Sequence, residues 1–216
     1  MNRQESENNP LIIHNKNDDV LNADEALVRL MEGNERFLRG EPLHTRTSME
    51  VLADLVKGQR PYATIVGCSD SRVPPELLFD AEFGDLFVIR VAGNVCTPEI
   101  MGSIQYAGTH LNIELFMILG HENCGAVQAA LSAKFQGAQD RSRIQLLLQS
   151  ILPGLDDIDP QLPPQRMLEC AVEANIRWTI RQLKETPEGR ARIAEGRIKL
   201  VGAVFEITTG RVRLIH

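Results

Sequence analysis

The stretch that decides the fold runs from Ala63 to Arg72, ATIVGCSDSR. Its first half is a short apolar run with β-branched residues at its centre, Thr64-Ile65-Val66. With Tyr62 before it, the run Tyr62–Gly67 reads as a buried strand, the kind that a parallel, helix-covered sheet requires. The second half does not serve burial. Cys68, Asp70 and Arg72 alternate with two serines directly beyond the strand, and parallel sheets place ligand sites beyond the carboxyl ends of their strands.

Two further runs, LFVIRV (86–91) and LFMIL (115–119), read as companion strands. Helical spacing recurs over Pro98–Leu111, Ala126–Phe135, Arg141–Leu152 and, beyond a Pro/Asp loop, from about Gln165 to Lys184. IKLVGAVFEI, the turn TTG and RVRLI close the chain as a hairpin. Upstream, Asn22 suits the cap of an amphipathic helix through ALVRLMEGNERFL (26–38), and a second helix is expected over Met49–Lys57, ending at Gly58. Residues 1–20 are polar and Asn-rich and are expected to form a flexible arm, leaving 21–216 as one domain. Strands alternating with helices imply an α/β fold with a mostly parallel central sheet, an antiparallel strand at the end and a helical N-terminal arm.

The composition limits the function classes. A chain of 216 residues with 43% hydrophobic content buries a core without disulfides. Its net charge of −6 offers no footprint for nucleic acid or anionic lipid. No apolar run is long enough to span a membrane. The polar N-terminus lacks the apolar centre of a signal peptide, so a cytoplasmic location is expected. Cys68, Cys96, Cys124 and Cys170 are then thiols or metal ligands.

The third run ends as the first does, in a polar turn: Gly120-His121-Glu122-Asn123-Cys124-Gly125. If these strands are neighbours, Cys68, His121 and Cys124 meet at one rim of the sheet. A lone cysteine at a strand end is ordinarily a small buried hydrophobe. Two such ends, one carrying H-x-x-C, point instead to Zn²⁺, which favours sulfur and nitrogen donors in tetrahedral geometry. Cys96 and Cys170 lack such company and read as structural thiols. Three protein ligands leave one open position, the mark of a catalytic zinc. Asp70 is near enough to become the fourth ligand in a closed state. Arg72 could instead grip it bidentately, leaving it to orient a zinc-bound hydroxide formed near neutral pH.

These residues resemble the β-class carbonic anhydrases, whose C-x-D-x-R and H-x-x-C signatures correspond to Cys68-Ser-Asp70-Ser-Arg72 and His121-Glu-Asn-Cys124. FGDLFVIRVAGN (83–94) and GSIQYAG (102–108) also resemble family segments, and the likeness extends from about Asn22 to the hairpin. The resemblance implies four parallel strands with a fifth, antiparallel one, and one zinc per subunit. It implies reversible hydration of CO₂ to bicarbonate in homodimers or higher multiples, with the active site at the dimer interface. By position it assigns Cys68, His121 and Cys124 to the metal and Asp70 with Arg72 to the dyad. Gln59, Phe87, Ala92, Tyr106 and the N–H of Gly125 fall to the substrate pocket. Ile65 stands where the bicarbonate-regulated subgroup has a tryptophan, which favours the plant-like subgroup, and Trp178 reads as packing. Gln105 and Ala81-Glu82 depart from the family pattern. Hydrolysis of carbon disulfide or carbonyl sulfide on the same scaffold, and a non-enzymatic structural zinc, stay open as alternatives.

Overall fold

A computed structural model of the chain describes residues 21–44, 49–139 and 141–215; the expected arm over residues 1–20 lies outside them. The element order is α1 (Ala23–Arg39), α2 (Met49–Leu55), β1 (Ala63–Gly67), α3 (Pro75–Leu78), β2 (Leu86–Arg90), α4 (Pro98–His110), β3 (Leu115–His121), α5 (Gly125–Gln136), α6 (Ser142–Ile151), α7 (Pro164–Glu185), α8 (Pro187–Ala194), β4 (Lys199–Glu206) and β5 (Arg211–Ile215). Short 3₁₀ turns cover Ala92–Asn94 and Leu152–Leu155.

The five strands form one sheet in the order β2-β1-β3-β4-β5. The first three pairings are parallel and β4–β5 is antiparallel. Every residue of β1 and of β3 is buried, as the continuous apolar runs require. β3 extends two residues past the expected end, because Gly120 and His121 stay in register with Val204 and Phe205 of β4. The sequence reading had no helix at PELL or at PEGRARIA. The second, α8, buries none of its residues and so carries no apolar stripe; it starts because the Thr186 hydroxyl accepts the N–H of Gly189 and Pro187 sits at its first position.

Two cores flank the sheet. On one face Ala26 and Leu30 of α1, with Leu78 and Phe79, meet Ile65, Leu115, Met117 and Leu119. On the other, Val127, Ile151, Val172 and Ile176 from α5, α6 and α7 meet Val66, Ile89 and Ile118. The N-terminal helix therefore lies on the sheet. Its start is a capping box: Asn22 Oδ1 accepts the N–H groups of Asp24 and Glu25, and the Glu25 carboxylate accepts that of Asn22. α1 comes so near the end of α3 that a Cβ on Gly33 would sit 1.8 Å from the Phe79 carbonyl oxygen. No helix among the described residues is long and apolar enough to cross a membrane.

Asn34, only 1% exposed, ties α1 to both ends of its layer. Its Nδ2 donates to the carbonyls of Leu78 and Gly210 at 3.1 Å each, and its Oδ1 accepts the Val212 N–H at 2.8 Å. Asn34→Ala strands these backbone groups and is expected to lower stability by about 2–4 kcal/mol. Urea denaturation measures this; a change under about 0.5 kcal/mol would show that α1 does not depend on the contact.

Candidate metal centre

From β1 the chain moves to β2 on one side and later returns to β3 on the other, so β1 and β3 flank the topological switch point of the sheet. Gly67 pairs with Leu119. Cys68 therefore leaves the sheet beside the start of the His121–Cys124 turn. The sulfurs of Cys68 and Cys124 and a ring nitrogen of His121 all lie within 4.8 Å of one another, and all three residues are buried.

The turn is built to aim these donors. Asn123 takes a left-handed φ of 53°, which asparagine tolerates better than most residues, and Cys124 then becomes the N-cap of α5. Its sulfur stands at the positive end of the helix, where thiolate is favoured. His121 Nδ1 lies 2.8 Å from the carbonyl oxygen of Glu122. A carbonyl only accepts, so Nδ1 carries the proton and Nε2 presents its lone pair. Glu122 is itself fixed: its N–H donates to Phe205 O at 3.0 Å, and its carboxylate accepts the N–H and hydroxyl of Thr208.

Nε2 is fully buried and has no hydrogen-bond partner. An orphaned lone pair in the interior is costly, and this one belongs to the same close group as two sulfurs. The residues fit a tetrahedral zinc with three protein donors. The hydrogen bond between the two thiols lowers the pKa of Cys68 and raises that of Cys124; burial raises both. The backbone N–H of Gly93, 3.3 Å from the Cys68 sulfur, favours its thiolate further.

Asp70 faces this group, with Oδ2 3.8 Å from His121 Nε2. Both its oxygens are held by Arg72, Nε to Oδ1 at 2.9 Å and Nη2 to Oδ2 at 2.7 Å, and the Arg72 N–H adds a third bond at 3.0 Å. These bonds hold the Asp70 carboxyl well below the usual carboxylate range, against the opposing effect of burial. Arg72 also donates to the Asn123 carbonyl at 3.4 Å, joining the two strand tips.

Other expected residues divide into two places. Gly125 opens α5 next to Cys124, and Ala92 precedes Gly93 in the turn against Cys68. Phe87 pairs in register with Thr64, four residues before Cys68 and hence about 13 Å back along the strand. Its ring stacks on Tyr106 at 6.1 Å. Gln59 precedes β1 altogether, so the strand separates it from its own Cys68. Within one chain, Gln59, Phe87 and Tyr106 are not brought to the donor group.

The sequence reading missed Arg90, Gly93 and Asn175. Arg90 Nε donates to the Cys68 carbonyl at 2.9 Å and its Nη2 to the Asp70 carbonyl at 2.5 Å, bracing the loop through its backbone. A charge at the tip of LFVIRV was the available signal. Cys96 is buried, which pushes its thiol up to about 11. Trp178 packs on Gly154 and donates to the Ser150 carbonyl at 3.0 Å, the expected packing role.

Sheet order and donor set together define a mostly parallel α/β protein with a Cys₂His group at its switch point that could hold a metal ion. The family model described as "Carbonic anhydrase" matches residues 63–212. The chain is 38% identical over 190 residues to carbonic anhydrase 2 of Mycobacterium tuberculosis, covering 86% of this chain and 89% of that one. Among solved structures it resembles the β-carbonic anhydrase CcaA, with a TM-score of 0.72, 30% identity and coverage of 87% of this chain and 86% of the other. It also resembles a tetrameric β-carbonic anhydrase of Sordaria macrospora, with a TM-score of 0.65, 27% identity and coverage of 76% and 85%. The chain belongs to the β class of the carbonic anhydrase family.

Protein purified in the presence of zinc is expected to carry about one equivalent per chain. Cys68→Ser, which replaces a thiolate by a poor anionic ligand, should reduce this to below about a tenth. Metal analysis by mass spectrometry reads both values, and undiminished zinc in Cys68→Ser would remove that sulfur from the donor set.

Proposed function

We propose that the protein catalyses the zinc-dependent, reversible hydration of CO₂ to bicarbonate and a proton. The observation that carries this reading is the buried, unpartnered Nε2 of His121 grouped with two sulfurs and faced by an arginine-held carboxylate. Zinc held by Cys68, His121 and Cys124 would supply Lewis acidity, which would make water a nucleophile at neutral pH.

The chain's own residues supply orientation. Asp70 stays ionised throughout the neutral and mildly acidic range, because Arg72 holds its pKa down. It can accept a hydrogen bond from the attacking water and direct a lone pair toward the substrate carbon. With both carboxylate oxygens engaged by Arg72, Asp70 is kept from swinging onto the position that water needs; this supports the plant-like reading. The Gly125 N–H, at the start of α5, is assigned to a substrate oxygen, where the helix end favours developing negative charge. Ala92 lines the same side of the pocket.

Gln59, Phe87 and Tyr106 complete the pocket when a second copy supplies them. Their distance from their own Cys68 supports a site shared between subunits, and the Sordaria relative is described as tetrameric. Four free cysteines support the cytoplasmic reading. No observation favours carbon disulfide or carbonyl sulfide over CO₂.

Stopped-flow CO₂ hydration by the zinc-loaded enzyme tests the proposal. Negligible turnover, with sulfide released from carbonyl sulfide or carbon disulfide instead, would overturn it. Arg72→Ala is expected to keep zinc while losing about a hundredfold in turnover. Arg72→Lys should not restore it, since an ammonium lacks the planar fork. Full turnover in Arg72→Ala would end the steering role.

A further inference from the structure

We propose that Asn175 and Thr179 on α7 are positioning residues of the metal centre: they hold the Ala92–Asn94 turn so that the Gly93 N–H is fixed on the Cys68 sulfur. The inference rests on the metal-binding reading above and extends it to a helix that contributes no ligand.

Asn175 and Thr179 are four positions apart, hence on one face of α7, and are 1% and 0% exposed. That helix otherwise buries Leu168, Ala171, Val172, Ile176 and Leu183. An amide and a hydroxyl among them carry a desolvation cost that aliphatic residues would avoid. Asn175 Nδ2 donates to the Gly93 carbonyl at 2.8 Å, and Thr179 Oγ1 to that of Asn94 at 3.3 Å. The amide is not there to be satisfied itself, for its Oδ1 has no hydrogen-bond partner.

The turn that these bonds hold is a strained one. Gly93 and Asn94 both have left-handed backbones, with φ of 71° and 44°, and two such residues in succession need outside support. A Cβ at Gly93 would lie 2.8 Å from Ile151 Cδ1 and 3.1 Å from Ala126 Cβ. α6 and α5 therefore press on the peptide from one side while α7 pulls its carbonyl. The carbonyl bond and the N–H bond to sulfur both act on Gly93, so releasing the first lets the second drift.

An N–H···S bond draws electron density from the sulfur and fixes the direction of its lone pairs. In a buried site it is little weakened by solvent. Asn175 thus acts on the donor strength of Cys68 without touching the metal or the substrate.

The test is cobalt(II) substitution of the full-length enzyme, read by the thiolate-to-cobalt charge-transfer band and by competitive metal affinity. Asn175→Leu is expected to move the band to longer wavelength, because a sulfur that loses its hydrogen bond is a more easily oxidised donor. Zinc affinity should fall by about 10–100-fold. Thr179→Val, nearly isosteric, should produce a smaller shift in the same direction. Trp178→Phe loosens the same helix where it packs on Gly154 and Ser150, away from the turn, and should move neither reading. If Asn175→Leu does not fold, Asn175→Ser and Thr179→Val carry the comparison. Parental band and affinity in the Asn175 and Thr179 variants would overturn the proposal and leave the metal site standing. Wild-type protein that takes up no cobalt or zinc would overturn the metal reading itself, and this one with it.

Discussion

The register of β1 against β3 is the constraint from which the rest follows. Cys68 and His121 are far apart in sequence, and only the pairing of Gly67 with Leu119 sets them side by side. A one-residue slip would turn every side chain of a strand to the other face. Here both faces are apolar, so alternation along β1 and β3 is a weak guide to register. The discrimination comes from shape: Gly120, where a Cβ would meet Ile176 Cδ1 at 2.7 Å, and Gly202, where it would meet Ile176 Cγ2 at 2.9 Å, admit only one alignment against α7. Packing of one isoleucine against two glycines thus helps to position a metal donor at the end of the strand.

The strands and most helices were legible because burial on both faces writes itself as continuous apolar runs, and because capping residues mark the ends. Asn22 is such a mark. α8 was not legible, since it buries nothing and its start depends on one hydroxyl. The meeting of Cys68, His121 and Cys124 was legible too, because two neighbouring strand tips that each end in a polar turn with thiol or imidazole point to one rim of the sheet. What the sequence hid was the support. Gly93 reads as a turn glycine and Asn175 as a polar residue in a helix. Only the folded chain shows that α7 returns to the switch point and lays Asn175 against the turn that faces Cys68.

The same folding explains why part of the expected pocket is distant. Gln59, Phe87 and Tyr106 belong to the start of β1, the middle of β2 and the far half of α4. Parallel strands carry their two ends apart, so no loop closure within one chain brings these residues to Cys68. In the proposed function another copy completes the site, which would couple assembly to activity.

Two ion pairs show how placement separates structure from chemistry. Asp80, with a side chain 1% exposed, is held by Arg36 at 2.5 Å and by the N–H groups of Leu43 and His44. Burial raises its pKa, yet these bonds outweigh the effect and leave it lowered; the pair fixes the segment that leaves α1. The Asp70–Arg72 pair is different. Arg72 is half exposed, and ion pairs open to solvent contribute little to stability. A bidentate geometry with a third backbone bond is far more order than that stability could justify. The proposed function accounts for the order: with a metal ion held by the two sulfurs and the imidazole nitrogen, a neighbouring carboxylate would be drawn to the metal unless something else held both of its oxygens. Arg72 does so from the water side. Arg90 meanwhile braces the same loop through the carbonyls of Cys68 and Asp70, so the grip on the carboxylate and the grip on the backbone are kept apart.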